Sequence, residues 1–316
     1  MAVTVLETKP RTSRGQAAAA TLLWRDKKAL VSLIFLAILY TSALLAPWLV
    51  GDRNNKIDFM NSLTAPSLGP DSHLFGTDAL GRDLFLRILT ASQVSLFISA
   101  VVVAGSGLLG LLLGMIAGYY GGWIDEVVMR LIDLMMAFPG LLLVLVIVFI
   151  AGNGTDKVIL VLVATGWTGY ARVVRAETLR LREFPFVESA RAIGCRDSQI
   201  ILRHILPNLI SVMAALAALG VVGVIMTESG LSFLGLGIQP PDVSWGLLVA
   251  EGRGYLTQAW WLAIFPGAAI FVTSMAYSLL ADWISVVVDP VQRDRMINSQ
   301  RRRRWRRAGT QSEGEQ

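Results

Sequence analysis

The chain has 316 residues, of which 54% are hydrophobic and 16% charged, where an ordinary soluble domain carries about a quarter charged residues. A mean hydropathy of +0.58 makes lipid its solvent, and in so apolar a chain a net charge of +5 reads as membrane orientation rather than as a nucleic-acid surface. One cysteine, Cys195, and two histidines, His73 and His204, exclude an intramolecular disulfide, a paired-cysteine metal site and a helix-borne histidine site.

A helix needs about 20 apolar residues to cross a bilayer. The first apolar run, residues 29–50, follows Arg25, Lys27 and Lys28 as a signal peptide would, but it is too long for a signal core and more spans follow, so it reads as an uncleaved anchor. Further runs occupy residues 92–118, 127–151, 158–174, 209–231 and 259–288. The expected fold is therefore all-α, with about six transmembrane helices. Gly110, Gly114 and Gly118 recur every fourth residue and place side-chain-free positions on one helical face, where a neighbouring backbone can approach. Pro139 and Pro266 each remove a backbone donor inside a run, which predicts kinks satisfied by neighbouring helices.

Basic residues set the expected orientation. Segments 1–28, 171–207 and 290–316 together hold 21 of the 28 lysines and arginines, and all three fall on one side if the chain crosses six times. The positive-inside rule places them in the cytoplasm with both termini. Segment 51–90, with four basic and five acidic residues, belongs outside. The organisation that follows is a cytoplasmic tail (1–28), a first span with its outer loop (29–90), a five-helix core containing the cytoplasmic segment 171–207 (91–289), and a basic cytoplasmic tail (290–316). The six arginines around Trp305 in residues 300–307 read as a topology signal held near anionic lipid.

Within the cytoplasmic segment, FPFVESARAIGCRDSQIILRHILPN carries local punctuation. Pro185 suits a first helical turn and Gly194 the left-handed residue past its end. Asp197 or Ser198 can cap a second helix leading through Ile200, Ile201 and Ile205 to Leu206 and Pro207. A helix this short is marginal by itself, since isolated helices below about 12 residues do not persist in water. Phe184, Phe186 and Val187 either form a docking surface for a partner or fold back on the chain's own helix ends, and both readings fit the residues alone.

Other residues carry weaker signals. Glu228 at the outer end of the fifth run is a candidate for the translocation path or for a hydrogen bond across the bundle, and Asp133 and Asp282 should be hydrated near the cytoplasmic face. In the outer loop, Gly76 and Gly81 predict a tight turn, with Asp78 and Asp83 paired to Arg82, in a structural or receptor-facing role rather than catalysis or metal binding beside His73. No lysine follows a glycine, so the phosphate loop GxxxxGK[ST] is absent and any ATP hydrolysis must come from a partner. A secondary transporter would be expected to show paired broken helices in two repeated halves, and no such repeat is visible.

The order Glu188, Ser189, Ala190, three residues, Gly194, then Leu206 and Pro207 resembles the EAA motif of binding-protein-dependent ABC importer permeases, with Ser189 in place of an alanine and His204 in place of an isoleucine. HLFGTDALGRDLFLRIL (73–89) and TESGLSFLGLGIQPPDVSWG (227–246) are similar to the C-type permease subunit of the dipeptide, oligopeptide and nickel group. The resemblance spans roughly residues 22–289. It implies the type I importer fold and a non-catalytic subunit without cofactor in a bacterial inner membrane. It also implies a second homologous permease subunit, one or two ATPase subunits, an extracytoplasmic binding protein, and coupling through Glu188, Ser189, Ala190, Gly194, Leu206 and Pro207. Phe184 and Phe186 join that set from their expected exposure. Peptides are the expected solute, with nickel or another small solute as the alternative.

Overall fold

The computed structural model describes residues 26–51, 56–69, 73–152 and 154–288. The expectations placed on tails 1–25 and 289–316, including the arginine cluster, lie outside the described residues. Within them the regular secondary structure is helical, with one isolated bridge, Thr77 to Asp83, in the loop that joins the first two long helices.

Helix α1 (Lys27–Val50) starts where the Asp26 carboxylate accepts the Lys28 and Ala29 amides at 3.0 and 3.4 Å, satisfying donors that a helix start leaves unpaired. Helix α2 (Leu84–Tyr120) is capped in the same way by Asp83, which accepts the Leu86 amide at 3.1 Å. It therefore begins ahead of the apolar run that announced it. Gly121 and Gly122, at φ +67° and +57°, turn the chain into α3 (Gly122–Met136).

The run 127–151, expected as one kinked span, is two helices. α3 and α4 (Gly140–Ala151) meet at 88°. Pro139 stands in extended backbone at ψ 120°, has no N–H to continue the ladder, and pushes the residue before it out of the helical region. Pro266 has no such effect, and α10 (Trp261–Val288) runs through it. Five helices among the described residues are long and apolar enough to cross a membrane, and the bent α3–α4 pair makes a sixth span if counted as one.

α5 (Thr155–Arg182) packs along α2, and the glycine face is the reason it can. A Cβ at Gly110 would lie 2.7 Å from the Trp167 carbonyl oxygen, and one at Gly118 would lie 2.8 Å from that of Arg175. The two backbones touch, as the fourth-residue spacing predicts. α1 lies against α10, where the Tyr40 and Tyr277 hydroxyls share a 2.6 Å hydrogen bond, and both join α2 and α8 (Leu206–Phe233) in the largest buried cluster.

The bundle has two distinct ends. One carries the outer loop, the end of α8, the short α9 (Trp245–Gly252) and the start of α10. Trp245 is fully buried there, its indole Nε1 donating to the Ile88 carbonyl at 3.1 Å and its backbone amide to Ser95 Oγ at 3.1 Å. The other end carries Lys27, Tyr120, Arg182, Val288 and the segment between α5 and α8, so the first and last described helices open and close on the same end.

Candidate functional site

At the end of α5 the chain leaves the bundle for α6 (Pro185–Ala192), with Pro185 in the first turn and Phe184 in extended backbone before it. The helix closes as the sequence predicts: Gly194 sits at φ +83°, and the Cys195 amide donates back to the Ala190 carbonyl at 3.0 Å, the pattern of a helix ended by a left-handed residue. Asp197 and Ser198, the two candidates for the cap, are instead the first two residues of α7 (Asp197–Ile200). Arg196 holds the cap position, its amide donating to Gln199 Oε1 at 3.3 Å, and Asp197 is drawn away by the Tyr119 hydroxyl, which donates to it at 2.6 Å. From α7 the chain passes through a π-helical turn, Ile201–Ile205, directly into α8. The wider turn suits Pro207, whose missing N–H cannot close an ordinary one.

The segment divides by face. Val187 is fully buried and Ala190 nearly so, both against Met115, Tyr119, Val174, Leu181, Ile200, Ile201, Ile205 and Leu209. Of the two readings open for Val187, the structure shows the one in which it folds back on the chain's own helices: spacing puts it on the inward side of a helix whose outward side starts at Phe186. Phe184 and Phe186 stay 37% and 40% exposed, their rings edge to face at 5.7 Å, and Glu188, Ser189 and Gly194 are also exposed. Leu206 is half-buried and Pro207 exposed on the rising helix. His204, the departure from the family pattern, lies 6.2 Å from the Phe186 ring. Sequence reasoning missed Ile193, which is 81% exposed beside the helix end; an apolar residue directly before the terminating glycine was the available signal. It also missed Arg191, whose guanidinium lies over the Tyr119 ring at 5.9 Å and is raised above its usual range by that hydroxyl and the nearby carboxylates.

At the opposite end the outer loop is tied down by charge. Asp78 accepts the amides of Leu80 and Arg82, Arg82 Nε at 2.7 Å and Arg87 Nη1 at 2.9 Å. The same Arg87 nitrogen reaches Glu251 of α9 at 2.8 Å. Asp83 does not pair with arginine as expected; it caps α2, which turns its second oxygen toward His73 Nδ1 at 2.8 Å. Gly76 and Gly81 adopt φ +76° and +73°, and a Cβ at Gly76 would meet the Thr64 carbonyl at 2.6 Å. Arg87 and Glu251, missed from sequence as partners, turn this loop into a brace between α2 and α9.

Glu228 is buried in α8. One carboxylate oxygen accepts the hydroxyls of Ser232 and Ser244, each at 2.7 Å, and Ser244 also caps α9 by accepting the Leu247 amide at 3.2 Å. The residue thus ties the end of α8 to the start of α9. Asp133 is exposed and pairs with Arg172 at 2.8 Å, and Asp282 is exposed. Among the described residues no cluster of histidine, cysteine and acidic side chains could hold a metal ion.

This geometry is a membrane bundle with a short braced helix at one end and an ordered loop at the other. Residues 110–294 match the family described as the binding-protein-dependent transport system inner membrane component. The chain belongs to that family. The permease also matches, over residues 19–66, the N-terminal transmembrane domain of oligopeptide transport permease C, which makes it a C-type member and a multi-pass inner-membrane protein. It is 40% identical over 268 residues to a putative peptide transport system permease of Brucella abortus, covering 85% of this chain and 89% of the relative. It is likewise 40% identical over 267 residues to a glutathione transport system permease of Escherichia coli, covering 84% and 87%.

Proposed function

We propose that this permease forms one half of a peptide importer's translocation pathway, that it pairs with a second homologous permease subunit, and that α6 is where ATPase subunits drive it. The observation that carries this reading is the division of α6. Val187 and Ala190 seat the helix on the bundle, while Phe184, Phe186, Glu188, Ser189 and Ile193 point away from it. An apolar outward face beside charge, on a helix too short to stand alone, has the make-up of a docking surface. The relatives named for peptide and glutathione transport support a peptide solute, glutathione being itself a short peptide.

In this reading the end bearing α6 is cytoplasmic together with both termini, and the outer loop meets the extracytoplasmic binding protein. Closure of the ATPases displaces α6, and the bundle alternates its access from outside to inside. The permease supplies no chemistry, having no phosphate loop. In liposomes the purified chain alone hydrolyses no ATP and moves no peptide. When the second permease subunit, the ATPases and the binding protein are added, Glu188→Arg abolishes peptide uptake and substrate-stimulated hydrolysis while the binding protein still docks. Uptake by the chain alone, or parental transport by Glu188→Arg in a normally assembled complex, would sink this reading.

A further inference from the structure

The end of the bundle beneath α6 is built from two parts. One is the α2–α5 block, in which Gly118 lets the Arg175 backbone and Thr178 approach so closely that a Cβ there would lie 2.8 Å from both. Arg182 at the end of α5 also donates to the Gly118 and Tyr119 carbonyls at 3.4 and 3.2 Å. The other part is the continuous helix of α7, the π turn and α8, a single apolar span over Asp197–Phe233. It reaches across to Glu228 and the α9 brace at the far end.

α6 lies at the junction, seated by Val187 and Ala190 in a shared apolar cluster. Apolar contact resists separation but is non-directional, so at this end a directional bond adds to what holds the register of the two parts. A charge-assisted hydrogen bond is directional in this way. Tyr119, 5% exposed at the last turn of α2, supplies one: its hydroxyl donates to the Asp197 carboxylate at 2.6 Å, joining the first part to the first residue of the second. Arg191 of α6 covers the same ring at 5.9 Å, so all three elements meet on one side chain.

We infer that Tyr119 is the positioning residue that makes the α2–α5 block and the α7–α8 helix move together when α6 is displaced. This rests on the reading of α6 as the driven helix. Without the hydroxyl the apolar seat remains and the ATPases still dock, but the two parts slip, and hydrolysis proceeds without moving solute.

The test uses the full assembly in liposomes, with a mixed library of short peptides as the probe and uptake quantified by mass spectrometry against ATP hydrolysed. Tyr119→Phe keeps the ring under Arg191 and its volume and removes only the hydroxyl. The ratio of peptide moved to ATP consumed should fall by about fivefold or more, the low end of ordinary coupling between sites, while the ATPases copurify at parental yield. Asp197→Ala, which removes the acceptor, should fall similarly, and the double variant with Tyr119→Phe should be no worse than either single, because all three lose one contact. A parental ratio in Tyr119→Phe, a double variant that multiplies the two losses, or a fall in the ratio accompanied by loss of the ATPases would each overturn the proposal. A parental assembly that shows no ATP-driven uptake would instead remove the underlying reading of α6, and this inference with it.

Discussion

Gly194 isolates a backbone effect from a packing effect. A Cβ there would meet nothing within 4 Å, yet φ is +83°. Substitution therefore costs only the left-handed conformation, about 1–2 kcal/mol for an L-residue and more for a branched one. Gly194→Val should insert and assemble but transport poorly, whereas Gly194→Asn, which tolerates that region, should retain most of the parental rate. Equal rates in the two variants would mean that the helix end does not matter to transport. Arg87 is the opposite case, a side chain with almost no exposure that neutralises Asp78 and holds Glu251. Arg87→Ala leaves Asp78 to Arg82 and two amides but unties α2 from Glu251, and the lost charge-assisted bonds cost about 1.5–3 kcal/mol. The thermal unfolding midpoint of the purified chain in detergent should drop accordingly, and an unchanged midpoint would refute the brace. Gly194 was legible because a terminator glycine works through its own dihedral. Arg87 was not, because its partners lie 9 and 164 residues away and no local pattern encodes that meeting.

Among the helices, what could be read was whatever depends on neighbours a few residues apart. The glycine face of α2 is such a pattern, and the structure lays it against α5. Gly114→Leu would drive a side chain into Ala171 and Val174, whose Cα and Cβ atoms would both stand 3.0 Å from the new Cβ. Overpacking of this kind costs about 1–3 kcal/mol, and here backbone rather than a flexible side chain must yield. Membrane-inserted protein should fall already for Gly114→Ala, whose Cβ would stand 2.4 Å from the Ala171 carbonyl oxygen, and further for Gly114→Leu, as measured by quantitative blotting of the membrane fraction. Parental yields in both variants would show that the helices do not touch there. The α3–α4 elbow was not legible in the same way. Pro139 and Pro266 each sit in an apolar run and remove one donor, yet one breaks its helix and the other does not. Tertiary surroundings decide which carbonyls find other partners, and those surroundings are not written around either proline.

For the whole molecule, the starts and ends of the described spans put the segment between α5 and α8 at one end and the outer loop at the other, and the positive-inside rule predicts that the first of these ends is cytoplasmic. Labelling with a membrane-impermeant thiol reagent in a Cys195→Ser background should modify Ser62→Cys in intact cells and leave Ser189→Cys untouched, both native serines being exposed. The reverse pattern would invert the topology.

The ion pairs of α3 also bear on how the chain is made. α3 carries Asp125, Glu126, Arg130 and Asp133 on fifteen residues, and the arginines that neutralise Asp125 and Asp133 are Arg175 and Arg172, 50 and 39 positions later. At about 5–20 residues per second of synthesis, roughly 2–10 s pass before these partners exist. During that interval α3 is an amphipathic helix with unpaired acids, and such a helix rests at the bilayer surface rather than crossing it. The elbow at Pro139 separates this acidic helix from the apolar α4, so α3 meets its neutralising partners only once α5 has been made. Ribosome-stalled chains ending before Arg172 should therefore leave α3 open to protease from the side of synthesis, and chains stalled well past Arg182 should protect it.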